Sequence, residues 1–481
     1  MLKLYNVEEL VDRFFPKIIF EHVSEQTNIF AESFLKSIES NEKLFVFYKK
    51  KWIVGTNPLE MKRFFAIIIL MGIVRTPKIS DYWRKSGPLS NPYIHNIMTY
   101  SRYKIISKFL HFVDNSTENQ TKDKLFKIRP LLNIFTDIWY KFYVPRENIV
   151  IDETIIPFKG RSKIKQYNPK KPHRFGIKAF ALADSISGYV IKWRIYSGKE
   201  EDNAYSLSSL ILDLLKGFEG QGFNLYCDNY FTTITMMKHL ESMDISYTGT
   251  VRKNRKHLPV LQDPLRFTEE NPCIVRRCDN IVFTLWKDKR EVFMLSNKHP
   301  HSLVQKDRVK RGGYQQIYYR PMCIEKYNEF MHGVDLANQL AATYRFKHKS
   351  LKWYKSIFYY LIDVTITNCY ISYKDMMKRK SMKFLPNEDF RLTLVEHFLK
   401  ETNIDFSNEA FVNPQKYINK RLKERHFLEI IPNKKRRDCV YCSNRKVRQI
   451  KSKYQCKFCK LAFCPADCFE KYHTLKNFRE K

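Results

Sequence analysis

Hydrophobic positions along this chain change period twice, and the changes divide it. From Val7 to about Phe142 apolar residues recur every three or four positions, as in VEELVDRFF, EMKRFFAIIILMGIV and SRYKIISKFLHFV. That spacing puts them on one face of a helix, and Gly and Pro are sparse enough to let helices run. The polar stretch from Asp114 to Asp123 predicts a loop between helices. Near Glu147 the texture turns β-branched. Asn148–Phe158, Ile177–Asp184 and Tyr189–Tyr196 read as strands, with SISG as a hairpin turn between the last two. Asp202–Lys216 reads as an amphipathic helix that Asp202 would cap. Phe223–Cys227 is a short buried strand, Phe231–Leu240 a helix and Ser246–Val251 a further strand.

Three strands, a helix, a strand, a helix and a strand is the order of an RNase H-like sheet. Residues from about Arg252 to Arg320 are irregular and strand-rich, and read as an insertion or a β subdomain. Helical periodicity returns from Tyr327 to about Lys374, and a basic, polar stretch then leads to KKRR at Lys434–Arg437. The fold class is multidomain α+β.

Composition sharpens this picture. The 481 residues carry a net charge of +35, with 85 Lys and Arg against 50 Asp and Glu. A surface so basic needs an anionic partner, and a polyphosphate chain fits best; a generic basic protein of the ribosome or membrane surface is the plainer alternative. Arg102, Lys104, Lys108, His111, Lys124 and Arg129 interleave with aromatic residues, as a DNA-facing surface or as ordinary helix solvation would. The opening MLKLYNVEELVDRFF lacks a secretory pattern. The longest apolar run, Phe64–Val74, has 11 residues. That is far short of the ~20 a membrane span needs, so it reads as a buried helix and no membrane partner is expected.

Two groups of residues suggest metal chemistry. The first is acidic. Cleaving a phosphodiester calls for two divalent cations roughly 3.5–4 Å apart, held by carboxylates on rigid elements. Asp152 lies within the first strand, Asp228 at the end of the fourth and Asp335 early in a later helix. The plainer readings are an edge-strand residue for Asp152, a helix cap for Asp228 and a first-turn acid for Asp335. Lys159, Arg161, Lys163 and Lys165 follow the first acid and could hold phosphates.

The second group is at the end of the chain. Six of the 11 cysteines fall between Cys439 and Cys468. Cys439-x2-Cys442, Cys456-x2-Cys459, Cys464, Cys468 and His473 form a zinc signature, because each CxxC offers two thiolates at a fixed bite. Seven ligands are visible, and two tetrahedral sites need eight. Disulfides or free thiols are the alternative. Lys434, Lys435, Arg436, Arg437, Arg445, Lys446 and Arg448 surround the module as phosphate contacts, a nuclear signal or both. A RING- or PHD-like protein-binding module would share this ligand logic.

IDETIIPFKGR, KPHRFGIK, YCDNYF, MHGVDLANQ and Trp353 follow one another in an order that resembles the piggyBac transposase family. FFAIIILMGIVRTPKISDYW, SRYKIISKFLHFVDN and KLFKIRPLL resemble its upstream segments, so the likeness runs from about Val7 to His473. The resemblance implies that Asp152, Asp228 and Asp335 are the catalytic triad of an RNase H-like core using Mg2+ or Mn2+. It implies cut-and-paste transposition with hairpin ends and a TTAA target, on double-stranded DNA, by a homodimer in the nucleus. It further implies that residues 148–251 form the core, 252–320 the insertion and 321–345 the core helix with the third Asp. Residues 1–147 and 346–432 would be two parts of one all-α dimerisation and DNA-binding domain, and 433–481 a cross-brace zinc module that recognises the transposon end. Trp353, in a basic setting of Arg345, Lys347, Lys349 and Lys352, resembles a family aromatic that supports DNA distortion; a core or cation–π tryptophan is the other reading. One position departs from the pattern GVDxxDQ: Asn338 replaces the second Asp. It shares a helix face with Asp335, so it can still point at the cluster, where its amide oxygen can ligate or hydrogen-bond but brings no negative charge. A transposase-derived DNA- or chromatin-binding protein that no longer cuts is therefore the alternative function.

Overall fold

The computed structural model describes residues 6–84, 91–120, 123–169, 174–198, 207–261, 267–268, 272–309, 313, 315–346, 350–402, 426–432, 436–443, 449–465 and 467–474. The chain divides into two compact units, Met1–Asn403 and Ile404–Lys481.

The first unit is built on a nine-stranded sheet. Its strands are β1 (Asn148–Pro157), β2 (Lys165–Tyr167), β3 (Phe175–Asp184), β4 (Val190–Ile195), β5 (Asn224–Cys227), β6 (Ser246–Thr250), β7 (Cys273–Cys278), β8 (Ile281–Lys287) and β9 (Glu291–Ser296). β3 runs antiparallel to β1, from Ile149 opposite Asp184 to Pro157 opposite Gly176. β4 is antiparallel to β3. Its turn is closed by Asp184, whose Oδ1 accepts from the backbone N–H of Ile186 and Ser187. On its other side β1 runs parallel to β5, and β5 parallel to β6. Parallel neighbours cannot be joined by a hairpin, so the chain crosses over through a helix between β5 and β6. Three antiparallel strands followed by two parallel ones make the expected RNase H-like sheet, and β2 is a short addition to it.

The strand-rich segment after Arg252 differs from a free-standing subdomain. β9 pairs antiparallel with β6, and β8 and β7 continue outward, so the core sheet grows by three strands. Without them β6 would present a row of unpaired N–H and C=O groups at an open edge. Leu303–Val309 (β10) and Gln315–Pro321 (β11) form a separate two-stranded ladder.

Helices precede and follow the sheet in sequence: α1 (Val7–Phe14), α2 (Lys17–Ser37), α3 (Glu42–Lys51), α4 (Pro58–Ile73), α5 (Pro92–Ile97), α6 (Tyr100–Phe109) and α7 (Arg129–Lys141), then α8 (Leu207–Leu215) and α9 (Ile234–Glu241) within it, then α10 (Met322–Phe330), α11 (Gly333–Thr343), α12 (Trp353–Arg379) and α13 (Asn387–Lys400). The apolar run at Phe64–Val74 becomes the buried helix α4. Asp202 falls outside the described residues, so its expected cap on α8 does too. α12 is buried on nearly every side from Ile357 to Ile371, polar residues included. Its polar side chains are used inward. Trp139 Nε1 donates to Thr365 Oγ1 at 3.0 Å. Asn368 pairs with both backbone groups of Val190, so α12 is bonded directly to β4. α13 packs on α4, and α1 on α12, which joins helices from opposite ends of this unit. Among the described residues no helix is long and apolar enough to cross a membrane.

The second unit is small. Leu428–Ile430 (β12) pairs with Tyr454–Cys456 (β15), and Arg437–Asp438 (β13) with Lys451–Ser452 (β14). Asp467–Thr474 forms α14. Its described buried apolar residues are few, chiefly Ile431, Ala462 and Phe463 beside Cys439 and Cys456. The pairing of β12 shows that the ordered module starts upstream of residue 433.

Candidate metal centres

The acid site is set by sheet register. β1 and β5 are aligned in parallel so that Ile151 stands opposite Cys227. Asp152 and Asp228 are the next residues on each strand, so the two carboxylates leave neighbouring positions where β5 ends. Both influence the same neighbours. Burial pushes the Cys227 thiol and the Tyr327 phenol up from their ordinary values, and the charges of Asp228 and Asp152 push both further. Asp152, Asp228 and Asp335 are all half-buried.

Asp335 arrives on α11, which packs on β1 and β3. Gly333 opens that helix, and a Cβ there would come within 2.6 Å of the Asp184 carbonyl oxygen and 2.7 Å of Val150 Cγ1. Only glycine lets the helix settle so close to β1. Five residues on, Asn338 Oδ1 accepts from Thr154 Oγ1 of β1 at 3.0 Å. Val150, Asp152 and Thr154 share one strand face. Asp152 thus lies between the two contacts on the strand, and Asp335 between them on the helix.

The helix-cap reading of Asp228 is not met, since α9 is capped by Thr233. Asp228 Oδ1 instead accepts from the Tyr230 N–H at 2.8 Å. Two arginines that sequence reasoning missed hold this turn. Arg252 Nε donates to Asn229 Oδ1, and Arg255 Nη2 donates to the Asn229 and Tyr230 carbonyl oxygens. Their signal was only two basic residues just past a strand that follows an acidic one.

Other expected site residues fall out differently. Lys159, Arg161 and Lys163 are exposed on the segment after β1, free to meet solvent-borne phosphate. Trp353 is the first residue of α12 and half-buried, with its ring edge-on to Tyr354 at 5.9 Å. Arg345 is corrected from a DNA contact to an interior cation. Its side chain is 16% exposed, 4.0 Å from buried Asp363, and lies over the Tyr360 ring at 4.9 Å. Asp363, its carboxyl pushed up to about 7 by burial against the pull of Arg391 and Arg345, needs that charge more than solvent does. Of the two roles open to Asn338, its amide oxygen takes the hydrogen-bonding one, accepting from Thr154 Oγ1 and from Tyr360 Oη at 2.9 Å. Lys347, Lys434, Lys435, Arg445, Lys446 and Arg448 lie outside the described residues, while Arg436 and Arg437 are exposed.

In the second unit the ligand atoms are already gathered. Cys439, Cys442, Cys464 and Cys468 form one group and His426, Cys456, Cys459 and His473 another, with the ligand atoms of each within 4.8 Å of one another. Along the chain the groups interleave, as a cross-brace requires. Cys442 and Cys464 sulfurs are 3.6 Å apart, and His426 Nδ1 lies 3.4 Å from Cys456 Sγ and 3.5 Å from Cys459 Sγ. A zinc tetrahedron with bonds of ~2.3 Å to sulfur and ~2.0–2.1 Å to nitrogen has edges of this size, and a disulfide at ~2.05 Å does not. None of these described cysteines is joined in a disulfide. His473 Nδ1 bonds the Phe469 carbonyl oxygen at 2.7 Å, which turns Nε2 toward Cys459 Sγ at 3.5 Å. His426 is therefore the candidate for the eighth ligand. No motif marks it, but it is the nearest histidine before Cys439. The three acids are not drawn together to this degree. A two-ion site does not require it, because carboxylates on different ions stand farther apart.

A family model described as Transposase IS4 matches residues 8–370. The chain belongs to the piggyBac-type transposase family. Within it, the chain is 29% identical over 438 residues to the human PiggyBac transposable element-derived protein 3, covering 88% of this chain and 71% of that protein. It is 26% identical over 326 residues to the human PiggyBac transposable element-derived protein 2, covering 65% and 54% respectively. The fold of this family member superposes on a piggyBac transposase from a cryo-EM synaptic complex with hairpin DNA, with a TM-score of 0.74 and 22% identity over 96% of this chain and 95% of that one.

Proposed function

We propose that the chain is a DNA transposase that cuts and rejoins phosphodiester bonds at Asp152, Asp228 and Asp335. The observation that supports this reading is the parallel register of β1 and β5, in which Asp152 and Asp228 are the residues that follow the paired Ile151 and Cys227, with the helix of the third acid packed on β1. Three half-buried acids offer the hard oxygen donors that Mg2+ or Mn2+ takes. Such ions, when bound, supply charge stabilisation to the attacking and leaving oxygens of the phosphate. The protein's own part is to hold the carboxylates rigid and present Lys159, Arg161 and Lys163 to the DNA backbone. Cut-and-paste transposition at TTAA with hairpin ends, a homodimer that brings two ends together and a nuclear site of action belong to the same proposal. The second unit is proposed to hold two Zn2+ ions and to contact DNA through Arg436, Arg437 and the basic segments around them. The opposing reading, a DNA-binding protein that has lost cleavage, draws on Asn338 and its missing charge.

An excision assay on a donor bearing the element's ends, with wild type and Asp228→Ala compared, tests the proposal. Excision by wild type alone is expected. Equal excision by both would refute the catalytic role, and DNA binding without excision by either would favour the opposing reading.

A further inference from the structure

Asn338 stands one helical turn after Asp335, and its surroundings describe a joint between elements. Its Oδ1 accepts from Thr154 Oγ1 at 3.0 Å and from Tyr360 Oη at 2.9 Å. A carbonyl oxygen has two lone pairs, so both are used. Each partner is itself fixed. Thr154 is buried in β1, two residues beyond Asp152 on the same face. Tyr360 is buried in α12, stacked on Trp193 of β4 at 5.4 Å, with the Arg345 guanidinium over its ring. The amide thus ties α11 to β1 and α12 together.

Two points of attachment fix a helix on a strand in both translation and rotation. At one end Gly333 seats α11 against Val150 and the Asp184 carbonyl. At the other, Asn338 holds it to Thr154. We propose that Asn338 is a positioning residue, a clasp that locks α11 in register on β1 so that Asp335 and Asp152 meet one metal pair. This rests on the metal-site reading above. It also explains how an uncharged residue serves at this position: it orients the ligand helix instead of adding a ligand. Asn338 bonds no acid itself, so its loss is expected to fall at the low end of the about 10–100-fold that removing a direct partner of a metal ligand costs.

The test is Mn2+ binding by the zinc-loaded full chain, followed by electron paramagnetic resonance. Asn338→Ala and the pair Thr154→Val with Tyr360→Phe are each expected to weaken Mn2+ about tenfold, and all three together by no more than about tenfold, because they break one device. Amide hydrogen exchange across residues 333–343 should quicken in each. If Asn338→Ala weakens Mn2+ while the hydroxyl deletions do not, Asn338 is a ligand and the clasp is refuted. Faster exchange or a lower melting temperature with unchanged Mn2+ affinity leaves only a structural role and overturns it equally. Asp152→Ala and Asp335→Ala are the separate control. If they leave Mn2+ binding intact, the metal-site reading fails, whatever Asn338 does.

Discussion

The acid site and the cysteine module are assembled in opposite ways. Asp152, Asp228 and Asp335 are carried by elements that a large apolar core holds in place, with β1, β5 and α11 each bonded or packed to several neighbours. Burying a large apolar side chain is worth ~1.5–3 kcal/mol, and the first unit buries scores of them, so its geometry needs no ion. The second unit has, among its described residues, a handful of buried apolar side chains and eight Cys and His side chains gathered in two groups that could each hold an ion. There the ion would supply the folding energy. On the proposed reading, one scaffold would make a place for metal, and in the other the metal would make the scaffold.

Four measurements put that contrast at risk. The largest effect is expected from zinc. A structural Zn2+ contributes about 10–16 kcal/mol, so a strong chelator, or Cys456→Ser, should abolish hydrogen-exchange protection across residues 426–474. Protection of β1, β5 and α11 should stay unchanged; its loss would erase the distinction between the units. Next is Asp228→Ala. Losing a metal ligand is expected to cost excision about a thousandfold, on the order of 4 kcal/mol of barrier, while the melting temperature of the first unit holds within a few degrees. A collapse in melting temperature would show the acid to be part of the scaffold.

The third measurement concerns pH. His111 is 2% exposed, stacked on Phe30 at 4.2 Å and hydrogen-bonded to Asn115, and burial lowers its pKa from 6.5 to about 4. The unfolded chain takes up this proton near pH 6.5 and the folded one only near 4. Stability from the neutral ring is therefore full above pH 6.5 and is lost as pH falls toward 4, at most about 3 kcal/mol. Burial lowers His299 in the same direction. Urea midpoints of the first unit against pH should lose one proton's slope in His111→Gln, and an unchanged slope would contradict the assignment. The smallest effect is expected from Lys159→Ala, Arg161→Ala and Lys163→Ala combined. They should lower DNA affinity and reduce the salt slope by about 0.9 for each phosphate left without its cation, with no change in melting temperature. An unaltered slope would remove this loop from the DNA-binding surface.

Periodicity carried much of the first unit. Asn148–Phe158 was legible as a strand because six of its residues are apolar, and it is observed as Asn148–Pro157. Register was not legible. That β9 would join β6 follows from pairing between residues as distant in sequence as Thr248 and Ser296, which no local pattern encodes. Charge in sequence likewise has no direction. Arg345 looked like its basic neighbours and turns inward to Asp363, because that buried carboxyl lies on another helix. His426 escaped for a similar reason. It meets Cys456 across 30 residues with no fixed spacing, and only the odd ligand count pointed to a missing member.

Successive side chains of a strand point to opposite faces, so a shift of β5 by a single residue against β1 would throw Asp228 to the opposite side of the sheet from Asp152. Leu225 and Tyr226, buried away from any phosphate, are then guardians of the chemistry, since they help seat the strand. Damage to the reaction need not be sought only where DNA would lie. Substitutions in the silent interior that leave the protein folded but displaced by one pleat would be among its most complete defects.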